Sequence, residues 1–156
     1  MSRLDREGRC YELAALHMIA NGRDDPSMRV CHGWPILRGE AEHAGKRYGH
    51  AWVERTTITQ FPAHDENGNF LGWDHLVEKP TVECMDTVTE TWWPRPLYFN
   101  GGQIEDHHVT RYTHRETLEK VITEETYGAW SESPYATTAP FRNAEPDETT
   151  YPECAP

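Results

Sequence analysis

The sequence predicts an α+β domain on three observations: a helical apolar face opens the chain, short strands set off by turn residues fill its middle, and a well-capped helix follows them. Residues 8–20 place Cys10, Leu13, Ala14, His17 and Met18 at i, i+3, i+4, i+7 and i+8, one face of an amphipathic helix that stops at Asn21-Gly22. Residues 23–27 read as a loop, and 28–32 and 35–38 as short strands on either side of Gly33. After a polar loop, residues 48–57, YGHAWVERTT, are rich in aromatic and β-branched types. They alternate so that His50, Trp52 and Glu54 share one face and Ala51 and Val53 the other. Residues 58–61 and 70–73 flank Asp65-Glu66-Asn67-Gly68-Asn69, whose Asn-Gly step predicts a hairpin-like excursion. Further strands are predicted over 81–88 and 109–112, and the stretch 92–102, with two prolines, reads as strand and turn. Thr113-His114-Arg115-Glu116 fits a capping box, and Leu118, Val121 and Ile122 keep helical spacing until Gly128.

At 156 residues the chain has the length of one domain. Its apolar fraction of 37% is low, which predicts that part of it lies outside the core. The segment 131–156 fits that part: it holds five of the eleven prolines and five acidic residues against one arginine. The expected organisation is therefore a single domain over 1–130 and an acidic, proline-rich tail over 131–156 draped on the surface or flexible.

Fifteen basic residues against twenty-six acidic ones leave a net charge of −11, which repels phosphates and argues against nucleic-acid binding by charge neutralisation. It suits a protein, peptide or small amide partner that is neutral or cationic. No window has the apolar length to span a membrane, and the opening MSRLDREGRC lacks a secretory apolar run. The expectation is a cytoplasmic protein whose four cysteines, Cys10, Cys31, Cys84 and Cys154, are thiols.

One of those thiols has a setting suited to chemistry. Cys10 falls in the first turn of the first helix, where unsatisfied N–H groups and the positive dipole end favour a thiolate. Gly8 permits close backbone approach, Ala14 leaves room above the helix face, and Arg9 adds positive charge. A thiol nucleophile needs a base, and the strand-borne His50 fits that role. A lone helical cysteine or strand histidine is ordinarily just packing, so the local spelling carries weight.

Gly8-x-Cys10-x-Glu12-x-Ala14 resembles the nucleophile helix of transglutaminase-like enzymes, and Gly49-His50-Ala51-Trp52-Val53-Glu54 resembles their histidine strand. Val82-Glu83-Cys84-Met85-Asp86-Thr87 resembles the strand that supplies the third residue, which makes Asp86 the group orienting His50. The interval from His50 to Asp86 is longer than the family's short hairpin, and an extra excursion over 62–79 accounts for it. Glu54, Asp65 and Asp74 stand as alternatives to Asp86. The resemblance covers residues 8–87, and the glutamine found a turn before the nucleophile in papain-like enzymes is Leu4 here. It implies a papain-like or transglutaminase-like core, an N-terminal nucleophile helix packed on an antiparallel sheet with a C-terminal helix. It further implies acyl transfer through a Cys10-His50-Asp86 triad, needing no cofactor, in a small bacterial or phage-type protein.

Arg9, His32, Trp34 and Trp52 are candidate substrate contacts along the same groove, with Cys31-His32-Gly33-Trp34 as a wall. The bland alternative makes that segment a strand and turn, and makes Trp52, Trp73, Trp92 and Trp93 core. Asp106 with His107-His108, and Cys31-His32 with His43, carry donors that suit zinc. Neither has the usual paired spacing, so no metal is expected. Two rivals remain: a peptidoglycan peptidase of the same kind, and a non-catalytic acidic interaction or inhibitor protein on the same fold.

Overall fold

A computed structural model describes residues 9–36 and 45–130. The chain is α+β: helix α1 (Cys10–Asn21), strands β1 (Arg29–Gly33), β2 (His50–Pro62), β3 (Leu76–Asp86) and β4 (Thr91–Pro94), helix α2 (Arg95–Gly102), strand β5 (Thr110–Tyr112) and helix α3 (His114–Glu124). The strands form one antiparallel sheet in the order β4-β3-β2-β1-β5, so β2 lies at its centre. The predicted tail over 131–156 and the segment 37–44 lie outside the described residues.

Alternation along the central strands builds two cores. Ala51 and Val53 of β2, Val30 of β1 and Met85 of β3 meet Ala14 and Met18 of α1, with Tyr112 and Met28 closing the cluster. The intervening residues Trp52, Cys31 and Cys84 face the other way and pack against Tyr98 and Phe99 of α2, with Ile104 and Val109. Gly33 is required by this second core, because a Cβ there would lie 2.5 Å from the Trp52 ring.

Strands β2 and β3 run on past the helices as a two-stranded arm. Thr57 and Thr59 meet Thr81 at 3.1 and 2.7 Å, and Arg55 pairs with Glu83 at 3.0 Å. A bridge between His64 and Phe70 carries the pairing toward the tip. There the Asp65 carboxylate accepts the backbone N–H groups of Asn67 and Asn69, and Gly68 takes φ of 82°. The predicted excursion between His50 and Asp86 is thus a lengthened hairpin.

Three expectations shift. Of the strand foreseen over 35–38, Ile36 forms an isolated bridge to Arg47, and residues 37 and 38 lie outside the described residues. The stretch 92–102 is β4 followed by α2, because prolines that break a strand or helix interior are tolerated in a helix's first turn, where Pro96 sits. Helix α3 starts as foreseen, with the Thr113–Glu116 capping box formed in both directions, but ends at Glu124, where Glu125 takes a left-handed φ of 51°. Gly128 serves the approach of this segment to α1 instead: a Cβ there would lie 2.4 Å from the Tyr11 ring.

Behind Trp52, the buried Glu54 carboxylate is held by Arg111 of β5 at 2.7 and 3.1 Å, and Arg111 also reaches Asp106. Removing one partner of a buried ion pair strands the other. Arg111→Met is expected to cost about 3 kcal/mol in urea unfolding, most of it recovered in Arg111→Met/Glu54→Leu. Equal losses in the single and double variants would contradict this.

Candidate active site

Helix α1 begins at Cys10 itself, with Arg9 as an N-cap that places no acceptor side chain on the first turn. Its start is tied to the end of β3. The Thr87 hydroxyl donates to the Cys10 carbonyl at 3.4 Å, and the Cys10 side chain packs on Val88. Arg9 pairs within the first turn. Its guanidinium grips Glu12 with two contacts of 2.6 Å, and that hydrogen bonding holds the Glu12 carboxyl below its ordinary range.

His50 opens β2 opposite Gly33 of β1. The glycine before it is demanded by close packing, since a Cβ at Gly49 would lie 2.5 Å from the Tyr11 hydroxyl and 3.1 Å from the Trp34 ring. The imidazole stacks on Trp52 at 6.1 Å and 24°, and its Nε2 lies 3.0 Å from the Tyr98 hydroxyl. Asp86 closes β3. Its Oδ1 accepts the N–H groups of Val88 and Thr89 at 2.9 Å each, and its Oδ2 is buried without a hydrogen bond.

The three residues named from sequence therefore sit at the start of α1, the start of β2 and the end of β3. These are 4%, 2% and 1% exposed for Cys10, His50 and Asp86. No hydrogen bond joins Asp86 to His50; the partner at Nε2 is Tyr98, a half-buried residue of α2. Burial pushes the Tyr98 phenol well up, and the charges of Asp86, Tyr48, Cys84 and Cys10 push it further. Tyr98 is thus hydrogen-bonded to His50 and within electrostatic reach of both Cys10 and Asp86. The alternatives to Asp86 are engaged or remote: Glu54 is taken by Arg111, Asp65 caps the arm's turn, and Asp74 is exposed on the arm.

His32, Trp34 and Trp52, the candidate substrate contacts, are all buried. His32 lies on the α1 face of the sheet between Tyr11, Tyr112 and Trp130, at 4.8, 5.0 and 5.0 Å, with neither ring nitrogen hydrogen-bonded. Burial first, and then the charge of His50, pull its pKa down to about 3. The other two described thiols differ from Cys10 in setting. Cys31 and Cys84 lie inside the second core, where burial and the Glu54 carboxylate drive both well above the ordinary thiol range.

Among the described residues, the His, Cys and acidic side chains whose donor atoms gather closely enough to share a metal ion are Glu105, His107 and His108, on the turn after α2. Cys31 and His32 point to opposite faces of β1, and His43 lies outside the described residues. No helix among the described residues is long and apolar enough to cross a membrane.

An unfolded histidine gains a proton as pH falls through about 6.5, whereas folded His32 resists until about 3. Stability from this site is therefore complete above 6.5 and is lost progressively between 6.5 and 3, reaching a deficit of about 2 kcal/mol at pH 5. His32→Phe, which keeps the aromatic packing, should flatten that fall in urea titrations between pH 7 and pH 5. Parallel curves for the two proteins would remove His32 as the cause.

No family model matches the chain, and neither curated proteins nor solved structures provide a match.

Proposed function

We propose that this chain is a thiol-dependent acyl-transfer enzyme on a papain-like or transglutaminase-like core, with Cys10 as nucleophile and His50 as base. The observation that carries the reading is the Tyr98 hydroxyl, 3.0 Å from His50 Nε2 and electrically coupled to Cys10 and Asp86. A contact of this kind fixes one nitrogen of a buried imidazole, and in this reading the other takes the proton.

The Cys10 thiol gives its proton to His50 Nδ1, and the sulfur attacks the carbonyl of an amide, ester or thioester. The oxyanion is met by the Cys10 backbone N–H at the start of α1. His50 returns the proton to the departing amine, alcohol or thiol, leaving an acyl group on sulfur. Water or an amine, deprotonated by His50, then releases it. Asp86 acts through Tyr98: its carboxylate favours the protonated phenol, and the phenol steadies the His50 ring in the tautomer that leaves Nδ1 basic. The net charge of −11 favours a neutral or cationic acyl donor or acceptor.

A non-catalytic acidic interaction protein is the second reading, and the β2–β3 arm favours it. Ile58, Trp73, Leu71 and Phe70 are exposed on that arm, while the Cys10 cluster is buried. Thiol reactivity separates the two.

With iodoacetamide near neutral pH, Cys10 is expected to label at least tenfold faster than Cys31 and Cys84, read by peptide mass spectrometry. Equal rates would remove the activated thiol. In assays of thioester hydrolysis, amine incorporation and cell-wall fragment cleavage, Cys10→Ala should lose roughly 10³-fold or more of any activity found. Full activity in that variant would favour the binding protein. Tyr98→Phe should lower kcat/KM about tenfold and move its pH profile, with the fold intact by circular dichroism. An unchanged profile would release Tyr98 from the relay.

A further inference from the structure

Residues 105–108 form the turn that leads from α2 into β5, with Asp106–His108 as a single 3₁₀ turn. We propose that this turn is a site for a divalent transition-metal ion, zinc above all, ligated by Glu105, His107 and His108.

A 3₁₀ turn superposes residues three apart, which brings Glu105 and His108 to one edge. Glu105 Oε2 lies 3.0 Å from His108 Nδ1 and 3.6 Å from His107 Nε2, and the two rings are 3.9 Å apart between centroids. All three donor atoms fall within 4.8 Å of one another. Zinc holds nitrogen and oxygen donors at about 2.0–2.1 Å in a tetrahedron, which sets donors about 3.3 Å from each other. The observed 3.0 and 3.6 Å bracket that separation for the two carboxylate–imidazole pairs.

The carboxylate is aimed. Arg47 Nη2 holds Glu105 Oε1 at 2.7 Å, and the same guanidinium is anchored by the carbonyls of Trp34 and Gln103 at 2.7 and 3.0 Å. Oε2 is thereby turned toward the histidines, as an outer partner orients a ligand in a metal centre. Backbone bonds from His108 to Glu105 and from Val109 to Asp106, at 2.9 and 3.1 Å, hold the turn closed. Asp106 pairs with Arg111 and stays out of the ligand set.

Two imidazoles and one carboxylate suit zinc, copper or nickel over magnesium or calcium, which take oxygen. Three protein ligands leave a fourth position for water or an outside donor. The ion would fasten the connection after α2 to Arg47, and through the Trp34 carbonyl to the strand entry at Gly49-His50.

The test titrates zinc chloride into the reduced full-length chain by calorimetry and adds cobalt as a spectroscopic probe. One ion per chain is expected, with visible cobalt bands and no thiolate-to-cobalt charge transfer. His107→Ala, at a side chain 72% exposed and so without consequence for folding, should weaken binding at least tenfold. His108→Ala should do the same. The proposal is overturned by an absence of saturable binding, by undiminished affinity in His107→Ala, or by a thiolate band that persists in both variants and assigns the ion to cysteine.

Discussion

The register of β2 between its two neighbours is the constraint on which the rest of the molecule depends. Val53 faces Val30 on one side and Met85 on the other, and this pairing fixes which residues of β2 point to which face. A slip of one residue would send Ala51 and Val53 away from α1 and bring Trp52 and Glu54 into its place. The same register sets the strand's first residue, His50, on the α2 side, where Tyr98 meets it. Packing and site geometry are thus one choice: the residues that bury α1 determine where the imidazole points.

The two faces carry different electrostatics. On the α1 face the buried polar ring is His32, kept neutral by its surroundings of Tyr11, Tyr112 and Trp130. On the α2 face a charge is retained, because Glu54 finds Arg111 from the edge strand, and its negative field bears on Cys31 and Cys84. A buried carboxylate is tolerable only when paired. The pair also links β2 to β5, which are not adjacent in the sheet, so it clamps β1 between them.

Much of this was legible in the sequence, for physical reasons. Alternation in YGHAWVERTT determines a strand because its period is two, and the Thr113–Glu116 box marks a helix start because it satisfies two backbone donors. Helix α2 was hidden because Arg95-Pro96 and Gly101-Gly102 leave too few residues between them to display a period, and it carries Tyr98. Nothing local marks Tyr98 as a partner of His50; the contact exists only because α2 folds back over Trp52. The hydrogen-bond partner of His50 was obscured for a related reason. Asp86 lies at the foreseen place, yet its Oδ1 is committed to the turn that follows β3. The clustering of Glu105, His107 and His108 likewise depends on a 3₁₀ turn, whose three-residue repeat differs from the spacing by which metal sites are read in a sequence.

The magnitudes decide what Cys10 needs in order to react. A helix start favours an anion by about 0.3–1 kcal/mol, and by about 2 kcal/mol in the best partly buried settings, which lowers a thiol pKa by roughly one unit. Burial works in the opposite direction and, as Cys31 and Cys84 illustrate, by more than that in this protein. Cys10 is nearly as buried as they are. What separates it from them is its setting: it packs on Val88 and Tyr11 and lies within electrostatic reach of Tyr98, whereas Cys31 and Cys84 feel the Glu54 carboxylate. Under the proposed mechanism a thiolate at Cys10 would form together with a protonated His50, as an ion pair whose attraction is strengthened by the same low dielectric that penalises either charge alone. In that mechanism the orientation of the His50 ring, set by Trp52 and by Tyr98, would govern the reactivity of a sulfur on a different element.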